Sequence, residues 1–169
     1  DQGGRPERRR RWPVVAGLAA LVGLPLVVAA VTLRRPHWYP VLDLAMTELR
    51  LRDVGTRHTP LIGLPGRIGP RRAEQGSHPG PLSFYLPYRL GGSSAWAMQA
   101  GTVLLHLAAI ATALWLAARR GGTRLAVAVT ALAALLVSGY GVAALAEPWN
   151  PYLPLMWWVV LLLAVWSVA

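Results

Sequence analysis

Long apolar runs, broken by short polar stretches and one long mixed segment, set the pattern of this chain. The runs cover residues 13–33, 95–118, 125–146 and 152–169. Each is close to the roughly 20 residues that a helix rising ~1.5 Å per residue needs to cross a hydrocarbon core of ~30 Å. The pattern therefore predicts four membrane-spanning helices. Pro25 falls inside the first run, where a membrane helix tolerates proline and is expected to kink. A secretory signal peptide is the competing reading of that run. The apolar stretch is longer than a signal core, and no small-x-small cleavage site follows it. The last run is still apolar at Ala169. We therefore expect a longer protein, of which this is the N-terminal part.

The polar breaks predict an orientation. Arg8–Arg11 precede the first run, and Arg119, Arg120 and Arg124 lie between the second and third. Positive charge beside a span favours the cytoplasmic side. Residues 1–12 and 119–124 are thus expected inside, and residues 34–94 and 147–151 outside. The outer segment itself holds nine arginines, but the charge rule loses force for loops of about 60 residues. Trp149, Tyr152, Trp157 and Trp158 suit an interfacial aromatic belt. The expected class is an all-α integral membrane protein: a polytopic helical bundle with a large first extracytoplasmic loop that contains a short amphipathic helix.

Composition agrees with that class. Charged residues make up 14% and hydrophobic residues 54% of the 169 positions, against about 25% charged in an ordinary soluble domain. All 17 basic residues are arginine. With the abundant glycine, proline and alanine, this is the composition of a GC-rich genome and points to an actinobacterium. There is no cysteine, which excludes disulfides and thiolate metal sites. A net charge of +10 raises the question of nucleic acid. The arginines sit at span ends and through one loop, without the stacking aromatics of a nucleic-acid face, so nucleic acid is not expected as a partner.

The segment from Arg34 to Ser94 carries the candidate chemistry. It holds Asp43, Glu48, Asp53 and Glu74, and the histidines His37, His58 and His78. Acids this close to a membrane are costly unless solvated, paired or functional. Residues Val41 to Val54 read as an amphipathic helix. Leu42, Ala45, Met46 and Leu49 form one apolar stripe, and Asp43, Thr47 and Arg50 another face. Glu48 and Arg52 stand in the favourable order for an ion pair. Asp53 is placed to pair with Arg50 or Arg57. A turn-rich stretch follows, Thr59 to Arg67, and then His78-Pro79-Gly80-Pro81-Leu82-Ser83-Phe84-Tyr85. Proline pushes the residue before it out of the helical region, so His78 is expected on extended backbone.

An acid after the first span, an acidic amphipathic helix, a Pro/Gly turn region and a basic residue before Pro-x-Pro-Leu-x-x-Tyr form a constellation. It resembles the first outer loop of the multi-spanning, lipid-dependent glycosyltransferases. That group includes the aminoarabinose transferases, the protein mannosyltransferases and the actinobacterial arabinofuranosyl- and mannosyltransferases. The resemblance covers about residues 13–95; the later spans match only as generic membrane helices. Leu44 stands where many members have Glu, His78 where many have Lys, and Pro-Gly-Pro replaces Pro-Pro. The resemblance implies a polyprenyl-phosphate sugar as donor and a glycan, glycolipid or protein as acceptor. It implies Asp43 as catalytic base. His78, Glu48, Arg50, Arg57 and Tyr85 are the candidate substrate-binding residues, with the arginines suited to a lipid phosphate.

Each candidate also has a purely structural reading. Asp43 could cap a helix, Glu48 could serve only Arg52, and His37 and His58 could be ordinary loop residues. His106, alone in the second span, is expected to hydrogen-bond a neighbouring helix. No His-x-x-x-His spacing appears, which leaves a divalent metal as a secondary option. Two other classes stand beside the enzyme: a transporter of lipid-linked substrate, and a non-enzymatic membrane scaffold.

Overall fold

The computed structural model describes residues 5–34, 39–66, 68–69, 71, 74–78, 80–92 and 94–168. Among the described residues six helices follow one another: α1 (Arg5–Thr32), α2 (Asp43–Asp53), α3 (Leu82–Gly91), α4 (Ala95–Tyr140), α5 (Val142–Ala146) and α6 (Leu155–Val168). Among the described residues there is no strand, only an isolated bridge between Pro65 and Ser77. Among the described residues, two helices are long and apolar enough to cross a membrane: α1 over Arg11–Thr32, and α4. Helix α6 is a shorter apolar helix of 14 residues.

The helix ends differ from those the apolar pattern suggests. Helix α1 starts well before the apolar run, at Arg5, and continues through Pro13 and Pro25. Residues 119–124, expected as a loop, are helical apart from one break. The 46 residues of α4 are divided at Gly122, with φ 67° and ψ −160°. That conformation is essentially restricted to glycine. A second break, at Gly141 with φ 82°, separates α4 from α5 inside the third predicted span. The fourth predicted span opens with a turn and becomes helical at Leu155.

The break in α4 lets one helix supply two walls of the core. Ala109, Ile110, Ala113, Leu114, Ala117 and Ala118 precede it; Ala126, Val129, Ala133 and Val137 follow it. All are buried in one cluster with Val15, Val22 and Leu26 of α1, Leu145 of α5 and Met156 of α6. The alanines let the backbones approach closely. Helix α1 runs antiparallel to the first half of α4, as two hydrogen bonds fix. Arg11 Nη1 donates to the Ala118 carbonyl (3.1 Å) near one end, and Trp96 Nε1 donates to the Ala30 carbonyl (2.8 Å) near the other. A separate small core of Val54, Leu64 and Phe84, with Tyr85 against it, holds the segment between α1 and α4 together. Helix α3 attaches this segment to the bundle, with Pro87 lying against Gly101 of α4.

Candidate functional site

Helix α2 opens the site. Its first residue is Asp43, so the carboxylate sits in the turn where the helix dipole favours negative charge. The preceding Leu42 has φ 52°, a left-handed conformation that is uncommon for a leucine. The cap position belongs to Leu42, which offers no side-chain hydrogen bond, so Asp43 is not the N-cap. Thr47 Oγ1 donates to the Asp43 carbonyl at 2.9 Å. The buried face of α2 is Thr47, Leu51 and, just past its end, Val54. The stripe expected from the apolar spacing points elsewhere: Leu42 is 78% and Leu49 55% exposed. Helix α3, bearing Phe84, packs against the opposite side of α2, where fewer but better placed apolar residues meet it.

His78 is held by a short pairing of two loop segments. Its N–H donates to the Leu64 carbonyl at 2.7 Å, and the Gly66 N–H donates to the Gly76 carbonyl at 3.1 Å. With the Pro65–Ser77 bridge, these bonds lay residues 76–78 along 64–66. Gly80 then meets the backbone of Gly63 so closely that a Cβ there would lie 2.7 Å from the Gly63 Cα. Only glycine permits that approach.

These constraints bring Asp43 and His78 to one cleft. Both line a cavity of about 430 Å³, with Met46, Leu64, Pro65, Gly66 and Gln75. Gln75 is fixed from one side, its Nε2 donating to the Gly69 carbonyl at 3.2 Å. A second, apolar groove of about 540 Å³ begins at Gly80, Leu82 and Ser83. It runs between Leu105 of α4 and the stretch that bears Asn150, Leu153, Pro154 and Trp157. His78, which lines the cleft, and Gly80, which lines the groove, are two positions apart in the chain. A carboxylate, an imidazole and an amide in one cleft can accept a proton and donate to an anion, and an apolar groove can accommodate a hydrocarbon tail.

The remaining substrate-binding candidates do not line this cleft, and each described one has a partner of its own. Glu48 Oε1 accepts from Arg52 Nη2 at 2.6 Å, as the spacing anticipates. Arg50 pairs with Asp53 at 3.7 Å. Arg57 Nε donates to His58 Nε2 at 3.1 Å. The Tyr85 hydroxyl donates to the Pro60 carbonyl at 2.6 Å. His37 lies outside the described residues. Among the described residues, no group of three or more His, Asp or Glu side chains converges as a metal site would need. His106 departs from expectation. It is fully buried, and neither ring nitrogen finds a partner among the described residues. Two turns earlier on α4, the buried Gln99 Oε1 is also unpartnered.

Sequence reasoning missed Gln75 and the apolar groove. Gln75 carries no local signal, being a lone amide in a polar loop. The groove is assembled from residues far apart in the chain, and Trp157 reads from sequence only as an interfacial aromatic. Comparison with protein-family models, with curated proteins and with solved structures finds no match to this chain.

Proposed function

We propose that this chain is part of an integral membrane glycosyltransferase that moves a sugar from a polyprenyl-phosphate donor to a glycan, glycolipid or protein acceptor. The observation that carries the reading is the shared cleft of Asp43 and His78; an apolar groove that begins at Gly80, two positions after His78, supports it. A lipid-linked donor has a polar head and a hydrocarbon tail, and that pair of spaces suits both. Membrane placement draws support from α1 and α4 and from the large apolar side chains on the outside of the helices. Leu21, Leu24 and Val31 of α1 and Val165 and Trp166 of α6 are all more than half exposed.

The chemistry follows from the residues. The acceptor hydroxyl oxygen attacks the anomeric carbon of the donor, and the bond from that carbon to the phosphate oxygen breaks. Asp43 takes the hydroxyl proton, and polyprenyl phosphate departs with the electron pair. His78 donates an N–H to a phosphate oxygen as negative charge grows there, the kind of fixed donor that lowers such a barrier. Removing a positioned general base costs about 10²- to 10⁴-fold in rate.

The test uses the full natural protein in vesicles that contain a radiolabelled polyprenyl-phosphate sugar and acceptor. Asp43→Asn is expected to lose transfer by roughly 100-fold or more while inserting and folding as the parent does. Undiminished transfer would remove Asp43 from the chemistry and favour the scaffold reading. The transporter reading draws on Gln99 and His106, since buried polar groups in a spanning helix often mark a substrate path. It predicts movement of label across the bilayer without transfer.

A further inference from the structure

The described carboxylates are unevenly distributed along the molecule. The carboxylates whose side chains are described are Asp43, Glu48, Asp53 and Glu74, between α1 and α4, and Glu147, after α5. The opposite end of the bundle is where α1 begins and α4 breaks. It carries Arg8–Arg11, Arg119, Arg120 and Arg124, against Glu7 on the first turns of α1. Trp115 lies roughly 30 Å along the axis from the start of α4, at ~1.5 Å per residue.

The arginines at this end differ in what they do. Arg11 is spent on the Ala118 carbonyl. Arg119 lies over the Trp115 ring, 5.0 Å from its centre. Arg119 and Arg120 both line a recess of about 420 Å³ with Trp115 and Leu116, and no described carboxylate pairs with either. The chain beyond them is Gly121–Gly122, which adds no side chain to fill the space. An arginine pair with no carboxylate partner among the described residues suits an anion. The guanidinium fork matches two oxygens of one phosphate, and Trp115 and Leu116 offer an apolar wall to whatever carries it.

We propose that this recess is a binding site for the phosphate group of an anionic phospholipid. Arg119 and Arg120 hold the phosphate, and Trp115 packs beside the glycerol and upper chain. The site rests on the membrane placement given above, and not on the glycosyl transfer.

Trp115 supplies the probe. The full protein is placed in phosphatidylcholine vesicles that contain a small fraction of brominated phosphatidylglycerol or of brominated phosphatidylcholine. Trp115→Phe isolates the quenching that belongs to this ring. Quenching by the anionic lipid is expected to exceed that by the zwitterionic one, on the order of fivefold enrichment for each arginine engaged. R119Q/R120Q, two exposed positions, is expected to make the two lipids equal. Equal quenching in the unaltered protein overturns the site, as does a preference that survives in the double variant. Loss of the preference on adding millimolar inorganic phosphate, but not equal ionic strength of chloride, assigns the recess to a soluble phosphate and overturns the lipid assignment. Absence of quenching by either lipid overturns the membrane placement itself, a result distinct from the others.

Discussion

The Tyr85 hydroxyl, 2.6 Å from the Pro60 carbonyl, fastens the start of α3 to the turn-rich loop, and its ring packs against the small core. Its place in the Pro-x-Pro-Leu-x-x-Tyr stretch is the same whether it holds substrate or holds the loop, and only the hydrogen bond separates the two roles. Tyr85→Phe is therefore expected to cost about 0.5–1.5 kcal/mol of stability and to leave the KM for the lipid-linked donor unchanged. Thermal unfolding in detergent and transfer kinetics measure the two effects, and a raised KM at unchanged stability would restore Tyr85 to the substrate. Glu48 follows the same logic: its partner is Arg52, at the helical spacing that makes such pairs. Asp43 and His78 are different. Thirty-five positions apart, they meet at one cleft only because the backbone pairing of 64–66 with 76–78 carries His78 back.

Among the elements, α4 depends most on a single residue. Gly122 has φ 67° and ψ −160°, and a Cβ there would meet nothing within 4 Å, so only the backbone conformation resists substitution. Gly122→Ala is expected to destabilise the bundle by about 1–3 kcal/mol. Gly17→Ala in α1, also in open space but on ordinary helical backbone, should cause no loss. Denaturant unfolding followed by circular dichroism compares the two, and equal stability of both variants would mean that the break is not held by glycine. Helix α2 makes a related point about faces. Its sequence offers two faces, and periodicity puts the apolar stripe on Leu42, Ala45, Met46 and Leu49. The face that packs is Thr47, Leu51 and Val54, because the nearest apolar partner, Phe84, arrives on that side.

At the scale of the molecule there are two cores, one formed by the long helices and a smaller one under the cleft. They join through α3, which touches both α2 and α4. Such a division lets the cleft segment loosen while the helices stay packed. Phe84 is 2% exposed at the centre of the smaller core, and Phe84→Ala is expected to cost that core about 3–5 kcal/mol. Hydrogen exchange should then quicken across 43–54 and 82–91 and stay unchanged across 103–118. Uniform quickening along the chain would show that the two cores unfold as one. The charge distribution also belongs to this scale: four of the described carboxylates lie in the segment between α1 and α4, and Arg119 and Arg120 lie at the break of α4 with no carboxylate partner among the described residues.

The apolar runs alone specify long helices and their approximate places, since a run of about 20 apolar residues has few other ways to hide its backbone. The i, i+4 order of Glu48 and Arg52 likewise suffices for their pair, because both partners lie on one turn of one helix. The breaks at Gly122 and Gly141 are weaker signals: glycine permits a reversal without demanding one, and packing of the two halves of α4 makes the choice. The face that α2 buries, the meeting of Asp43 with His78 and the groove between Leu105 and Trp157 depend on contacts between residues distant in sequence. No local pattern encodes such contacts. They are decided when the small core closes on Phe84 and the chain from Leu64 to Gly80 folds back on itself.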